Sequence, residues 1–122
     1  MKVKCIKLID EQTGESLENS SWLSVGKVYH VLSMNMEDGL PIKFRLIGND
    51  GQTPAYHDAN QFEIVTNNIP TGWVIDFISK SHFRLSPRAW SKPRFWEEYF
   101  DGEPEAVELF NAEKEKILKE GC

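Results

Sequence analysis

Along the first half of the chain, apolar and polar positions alternate in short runs, and each run ends at a turn residue. Alternation with period two sends successive side chains to opposite faces, which predicts strands with one buried face. Val3 to Ile9 alternates in this way, with Val3, Cys5 and either Lys7 or Ile9 on one side. Asp10 to Ser21 is polar, contains Gly14 and reads as a loop. Trp22 to Lys27 leads into Val28–Met34, a strand rich in β-branched and aromatic residues. Glu37-Asp38-Gly39 is a hairpin signal, because Asp-Gly accepts positive φ at little cost. Ile42–Ile47 alternates again and ends at a second turn, Asn49-Asp50-Gly51. Thr53–His57 is short, and Pro54 suits an edge strand. Asp58–Gln61 reads as one helical turn, and Phe62–Val65 as a fifth strand.

The period changes in the second half. Trp73–Ile78 predicts a strand after a loop holding Asn67, Asn68, Pro70 and Gly72, and His82–Leu85 is placed to pair with it. Ser86-Pro87 reads as a helix start, with Ser86 as N-cap and Pro87 at the first helical position. Pro93 interrupts that helix. Phe95, Trp96, Tyr99 and Phe100 then fall on one helical face, and Asp101-Gly102 breaks the helix. Pro104 opens a last helix to about Lys119, with acids in its first turn, lysines in its last, and Gly121 just beyond.

Five short strands with tight turns suggest a small closed barrel, since closure removes exposed sheet edges. The runs that carry this reading are Cys5-Ile6, Leu23-Ser24-Val25-Gly26-Lys27-Val28-Tyr29-His30-Val31-Leu32, Phe44–Ile47 before Asn49-Asp50-Gly51, and Phe62-Glu63-Ile64-Val65. Their order resembles small bacterial and phage SH3-like barrels, with Ser24 in place of the usual Thr and Asn49 in place of the usual first Asp. The expected fold is therefore mainly β with C-terminal helices (α+β): a five-stranded SH3-like barrel at 1–66, extended by a β-hairpin and two to three helices at 67–122, all in one domain. The segment Ala89 to Ala106, with the strand before it and the charged helix after it, resembles bacterial immunity proteins of polymorphic-toxin and contact-dependent inhibition systems. That resemblance implies a cytoplasmic, acidic, non-catalytic protein that occludes one cognate toxin, often a basic nuclease.

Composition narrows the field. The chain has 122 residues, 40% hydrophobic and 27% charged, which suits one folded domain. The alternating start is a strand pattern and lacks the continuous apolar stretch of a signal peptide or membrane span, so the expected compartment is the cytoplasm. Cys5 and Cys122 lie at opposite ends without zinc spacing; Cys5 reads as a small core residue and Cys122 as an exposed tail. The net charge of −5 argues against phosphate as the main partner.

That charge is unevenly spread. Residues 79–94 carry Lys80, Arg84, Arg88, Lys92 and Arg94 without an acid; residues 95–108 carry Glu97, Glu98, Asp101, Glu103, Glu105 and Glu108 without a base. Glu97, Glu98 and Asp101 stand late in their helix, where acids oppose the macrodipole, so helix stability does not account for them. With Trp96 and Tyr99 as aromatic anchors and Glu103 alongside, they form the candidate surface for a basic protein partner. Arg84, Arg88, Lys92 and Arg94, interleaved with Phe83, Trp90 and Phe95, form the alternative, a single-stranded nucleic-acid surface. The same aromatics also read as packing between the helices and the barrel. His30, His57 and His82 are scattered, and the adjacent His57 and Asp58 point to opposite faces of a strand. No nucleophile elbow, phosphate loop, metal spacing or cofactor motif is present, so neither catalysis nor a cofactor is expected.

Overall fold

The computed structural model describes residues 1–120; the Gly121 helix stop and the Cys122 tail lie outside the described residues. The fold is mainly β. A three-stranded antiparallel sheet places β1 (Lys2–Cys5) between β2 (Val28–His30) and β6 (Phe62–Thr66). A five-stranded antiparallel sheet runs β5 (Pro54–Asp58), β4 (Lys43–Ile47), β3 (Ser33–Glu37), β8 (His82–Pro87), β7 (Trp73–Ser79). Short 3-10 turns span Ala59–Gln61 and Arg88–Ser91, and two helices close the chain, α1 (Phe95–Phe100) and α2 (Pro104–Glu120).

The Val28–Met34 run is two strands, not one. Val31 and Leu32 sit at the break, and their amides donate in different directions: Val31 to the Met1 carbonyl at 3.0 Å, Leu32 to the Arg45 carbonyl at 2.8 Å. Consecutive residues thus serve different sheets, and both side chains are fully buried at the junction. The apolar pattern continues straight through this corner, so alternation alone does not reveal it.

Two open sheets stand where a closed five-stranded barrel was expected. β5 and β6 each end their own sheet, and the Ala59–Gln61 turn carries the chain between them. The expected hairpin forms as β7 and β8, and β8 pairs with β3, so the larger sheet joins strands from both halves of the chain. Pro54 lies on an edge strand, where its missing N–H costs no ladder bond. Ile9 lies beyond β1 and makes an isolated bridge to Ser16, inside the long loop.

The Ser86-Pro87 helix start is also corrected. Both residues are buried at the end of β8, where Pro87 pairs with Trp73 and takes extended backbone angles. Helical turning begins one residue later, as the 3-10 turn. Trp90 from that turn is 2% exposed and stacks 5.1 Å from Phe110 of α2 and 6.4 Å from Phe95 of α1. One buried cluster therefore runs from Val3, Cys5, Tyr29 and Leu46 between the sheets to Trp90, Phe95, Phe110 and Ile117 under the helices. Cys5 is free and buried, as its alternation implies.

Candidate functional site

The acidic block folds into an elbow between α1 and α2. Arg94, at the N-cap of α1, takes a left-handed φ of 64°; the helix is so short that Glu97 and Glu98 lie in its first turn, where the macrodipole favours them, and not late in a longer helix as the sequence suggested, while Asp101 is its C-cap. The six-residue helix ends where the Asp101 amide donates to the Glu97 carbonyl and the Gly102 amide to that of Tyr99, both at 3.0 Å. Gly102 then turns back with φ 80°, a conformation that glycine accepts without strain. The Glu103 amide donates to the Glu98 carbonyl, and the Glu103 carbonyl accepts from Val107, so one residue links both helices.

This reversal gathers Glu98, Asp101, Glu103 and Glu105 around one open cleft of about 510 Å3, with Arg94 as its lining cation. Glu97 stands aside and accepts from Arg94 Nε at 3.2 Å. All five acids are exposed. Four of the lining side chains are therefore anionic against one cation, in a concave surface where like charges reinforce one another.

The aromatic candidates divide differently. Trp96 packs inward, with its ring 5.5 Å from Trp90 and 5.8 Å from Phe110, and its face 3.7 Å from the Arg45 guanidinium. The Tyr56 ring also packs on the Arg45 guanidinium, at 4.0 Å, and Arg45 Nη1 donates to the Pro54 carbonyl at 2.7 Å. Burial lowers the pKa of this guanidinium, and the two rings hold it as a bolt between β4 and α1. Tyr99 lies 4.6 Å from Phe110, and burial raises its phenol pKa. Both residues serve packing first. Phe100 is the aromatic left at the surface, 56% exposed and 5.2 Å from Tyr99, which helical spacing had grouped with the others.

The basic candidates do not share a surface. Arg84, on β8, is half-buried and sits opposite Asp76 of β7. Arg88 is exposed on the 3-10 turn and lines a cavity of about 570 Å3 with Glu113, Lys116, Lys119 and Glu120. Lys92 is exposed before α1, and Arg94 belongs to the acidic elbow.

A second polar cluster went unrecognised in the sequence. His57 and Asp58 face opposite sides of β5 as read, yet Glu11 from the long loop reaches both. Its Oε1 accepts from the Asp58 amide, and its Oε2 lies 3.8 Å from His57 Nδ1. Lys43 bonds to Asp58 and stands 3.5 Å from Glu11. His57 and Asp58 are 5% and 4% exposed. The available signal was the edge position of β5, which opens both of its faces to one loop; a contact across 47 residues leaves no local pattern.

Among the described residues, no group of three His, Cys, Asp or Glu is placed to hold a metal ion. No described helix is long and apolar enough to cross a membrane. No family model, curated protein or solved structure matches the chain.

Proposed function

We propose that this chain is a non-catalytic protein-binding module whose acidic elbow docks on a basic protein domain. Most concretely, it is a cytoplasmic immunity protein that neutralises a cognate toxin with a basic surface. The observation that carries the reading is the convergence of Glu98, Asp101, Glu103 and Glu105 on one cleft, with exposed Phe100 next to Asp101 in the chain. The macrodipoles account for Glu98 in the first turn of α1 and Glu105 in that of α2; what points to a partner is their meeting with Asp101 and Glu103 in one cleft, which favours a cationic surface. Phe100 supplies the desolvated contact that gives such an interface its affinity.

The N-terminal half supplies the scaffold. We read residues 1–66 as an opened, SH3-like arrangement of strands, supported by the pairing of β1 with both β2 and β6 and by the β3–β4–β5 meander. Ser24, Tyr29 and Asn49, three residues of the runs that carry the resemblance, share one network. Tyr29 Oη accepts from the Ser24 amide and donates to Asn49 Oδ1, each at 2.9 Å, and Asn49 Nδ2 donates to Ser24 Oγ at 3.0 Å.

Co-purification from native cells followed by mass spectrometry tests the function. The wild-type chain retains a basic protein that an E98K/D101K/E103K variant releases. A partner retained equally by both chains places the interface elsewhere and overturns the assignment of the elbow.

A further inference from the structure

We infer that the outer edge of β7 receives an extended segment of a partner protein, with apolar residues at alternate positions and a lysine or arginine between them. β7 ends the five-stranded sheet, so one side of its backbone has no strand beside it. The site shares no residue with the acidic elbow and does not rest on it.

The register decides which groups face the open side. In an antiparallel ladder, opposed residues alternate between hydrogen-bonded and non-hydrogen-bonded pairs. Trp73 opposes Pro87, which has no N–H, and the Trp73 amide donates instead to the Pro70 carbonyl at 3.1 Å. That pair is therefore non-hydrogen-bonded, and so, at the same parity, are Ile75–Leu85 and Phe77–Phe83. The far side of β8 agrees. The Asp38 amide donates to the Ser81 carbonyl at 2.8 Å, and the same parity turns the main-chain groups of Phe83 and Leu85 toward β3. The amides and carbonyls of Ile75 and Phe77 thus point outward, without a partner among the described residues.

The side chains of these two residues are 58% and 66% exposed. Such an edge is a template for a further strand. A bulge between Phe77 and Ser79 ends the regular stretch, so the segment it accepts is short. Beside Phe77 opens a cavity of about 370 Å3, with Met36, Leu40, Ile42 and Phe83 among its walls. A side chain opposite Phe77 in the added strand projects on the Phe77 face, next to this cavity, which gives the edge a preference for apolar residues.

Asp76 sets the charge. It stands between the two outward-facing residues, on the other face of the strand, half-buried and without an ion pair to Arg84 across from it. In an added antiparallel strand, the residue opposite Asp76 belongs to a non-hydrogen-bonded pair, where side chains approach most closely, and a basic side chain is favoured there. A second copy of this chain fits less well. The two-fold pairing that satisfies both Ile75 and Phe77 sets Asp76 against the same carboxylate of the other copy.

Titration of the full chain by NMR tests the edge, with a blocked Thr-Val-Lys-Val-Thr peptide as the probe. Its controls are Thr-Val-Glu-Val-Thr and a Thr-Val-Lys-Val-Thr analogue N-methylated at both valines. The lysine peptide should give saturable shifts at the Ile75 and Phe77 amides and slow their exchange. The glutamate peptide should bind about fivefold more weakly, the scale of exchanging an attractive cross-strand pair for a repulsive one. The N-methylated peptide, stripped of the N–H groups that face β7, should not saturate. Asp76→Asn should erase the preference for lysine over glutamate. Ile75→Pro removes an outward N–H and no ladder bond, so it should weaken binding while the β8 amides keep their shifts. The inference is overturned if the lysine peptide gives no saturable shifts at β7, if the glutamate or N-methylated peptide binds as well, or if both variants bind as the wild type does. Sedimentation equilibrium showing a dimer that Ile75→Pro dissolves would assign the edge to a second copy and overturn it too.

Discussion

A Cβ on Gly48 would run into the Trp22 carbonyl oxygen, which already accepts from the Asn49 amide at 2.7 Å. The obstacle is backbone, so no side chain can swing aside. Gly48→Ala should destabilise the fold by about 1–3 kcal/mol, the usual cost of overpacking, measured by chemical denaturation. At the same scale, His57 links stability to pH. Burial and Lys43 depress its pKa in the folded chain, while the nearby Asp58 only partly offsets them. The unfolded chain therefore takes up this proton near the ordinary value of 6.5 and the folded chain resists it. Stability is full above that value and falls as pH drops through it. His30 adds to the same slope, its pKa lowered by burial and then by Lys2 and the N-terminus. Glu11 acts in the opposite sense, since its raised pKa lets the folded chain accept a proton before the unfolded one does. The melting temperature should fall between about pH 7.5 and 6, and His57→Gln should flatten part of that fall. An unchanged slope would remove His57 from the account. None of this was legible in the sequence, where His57 and Asp58 show only that they diverge; the third partner arrives from a distant loop.

Elements were more readable than their junctions. α2 was marked by Pro104, an acidic first turn and lysines in its last turn, and it runs from Pro104 to Glu120. The β4 alternation and the Asp-Gly turn before it were equally plain, because both signals are local. The corner at Val31–Leu32 was hidden, since a buried apolar pair looks the same whether its amides serve one sheet or two. The turn at Gly102 was read correctly as a helix stop, but not that it swings Glu103 and Glu105 round to face Glu98 and Asp101. Its φ of 80° makes a clear prediction. Gly102→Ala should cost roughly 1–2 kcal/mol, the penalty of a side chain in left-handed backbone. It should also loosen the elbow, seen as faster amide exchange at Gly102 and Glu103, with β-sheet amides unchanged.

Across the whole molecule, the abrupt change of sign along the chain does not become a two-sided charge pattern. The basic positions scatter over β8, the 3-10 turn and the elbow, while four of the acids, Glu98, Asp101, Glu103 and Glu105, close on one cleft. Sequence distance kept the acids together because one tight turn connects them; it gave no such guarantee to the bases, which straddle a strand end and two turns. The aromatics followed a similar logic: spacing placed four on one helical face, and packing against Arg45 and Phe110 then withdrew Trp96 and Tyr99 and left Phe100 outside. With a net charge of −5, the long-range field of the chain favours cationic over anionic partners.

The most direct measurement is the association rate between this chain and its co-purified basic partner, followed by stopped flow as salt is raised. The account predicts fast association for the wild type that slows steeply with salt, and slower, nearly salt-independent association for the E98K/D101K/E103K variant. Equal rates and equal salt dependence for the two chains would contradict it.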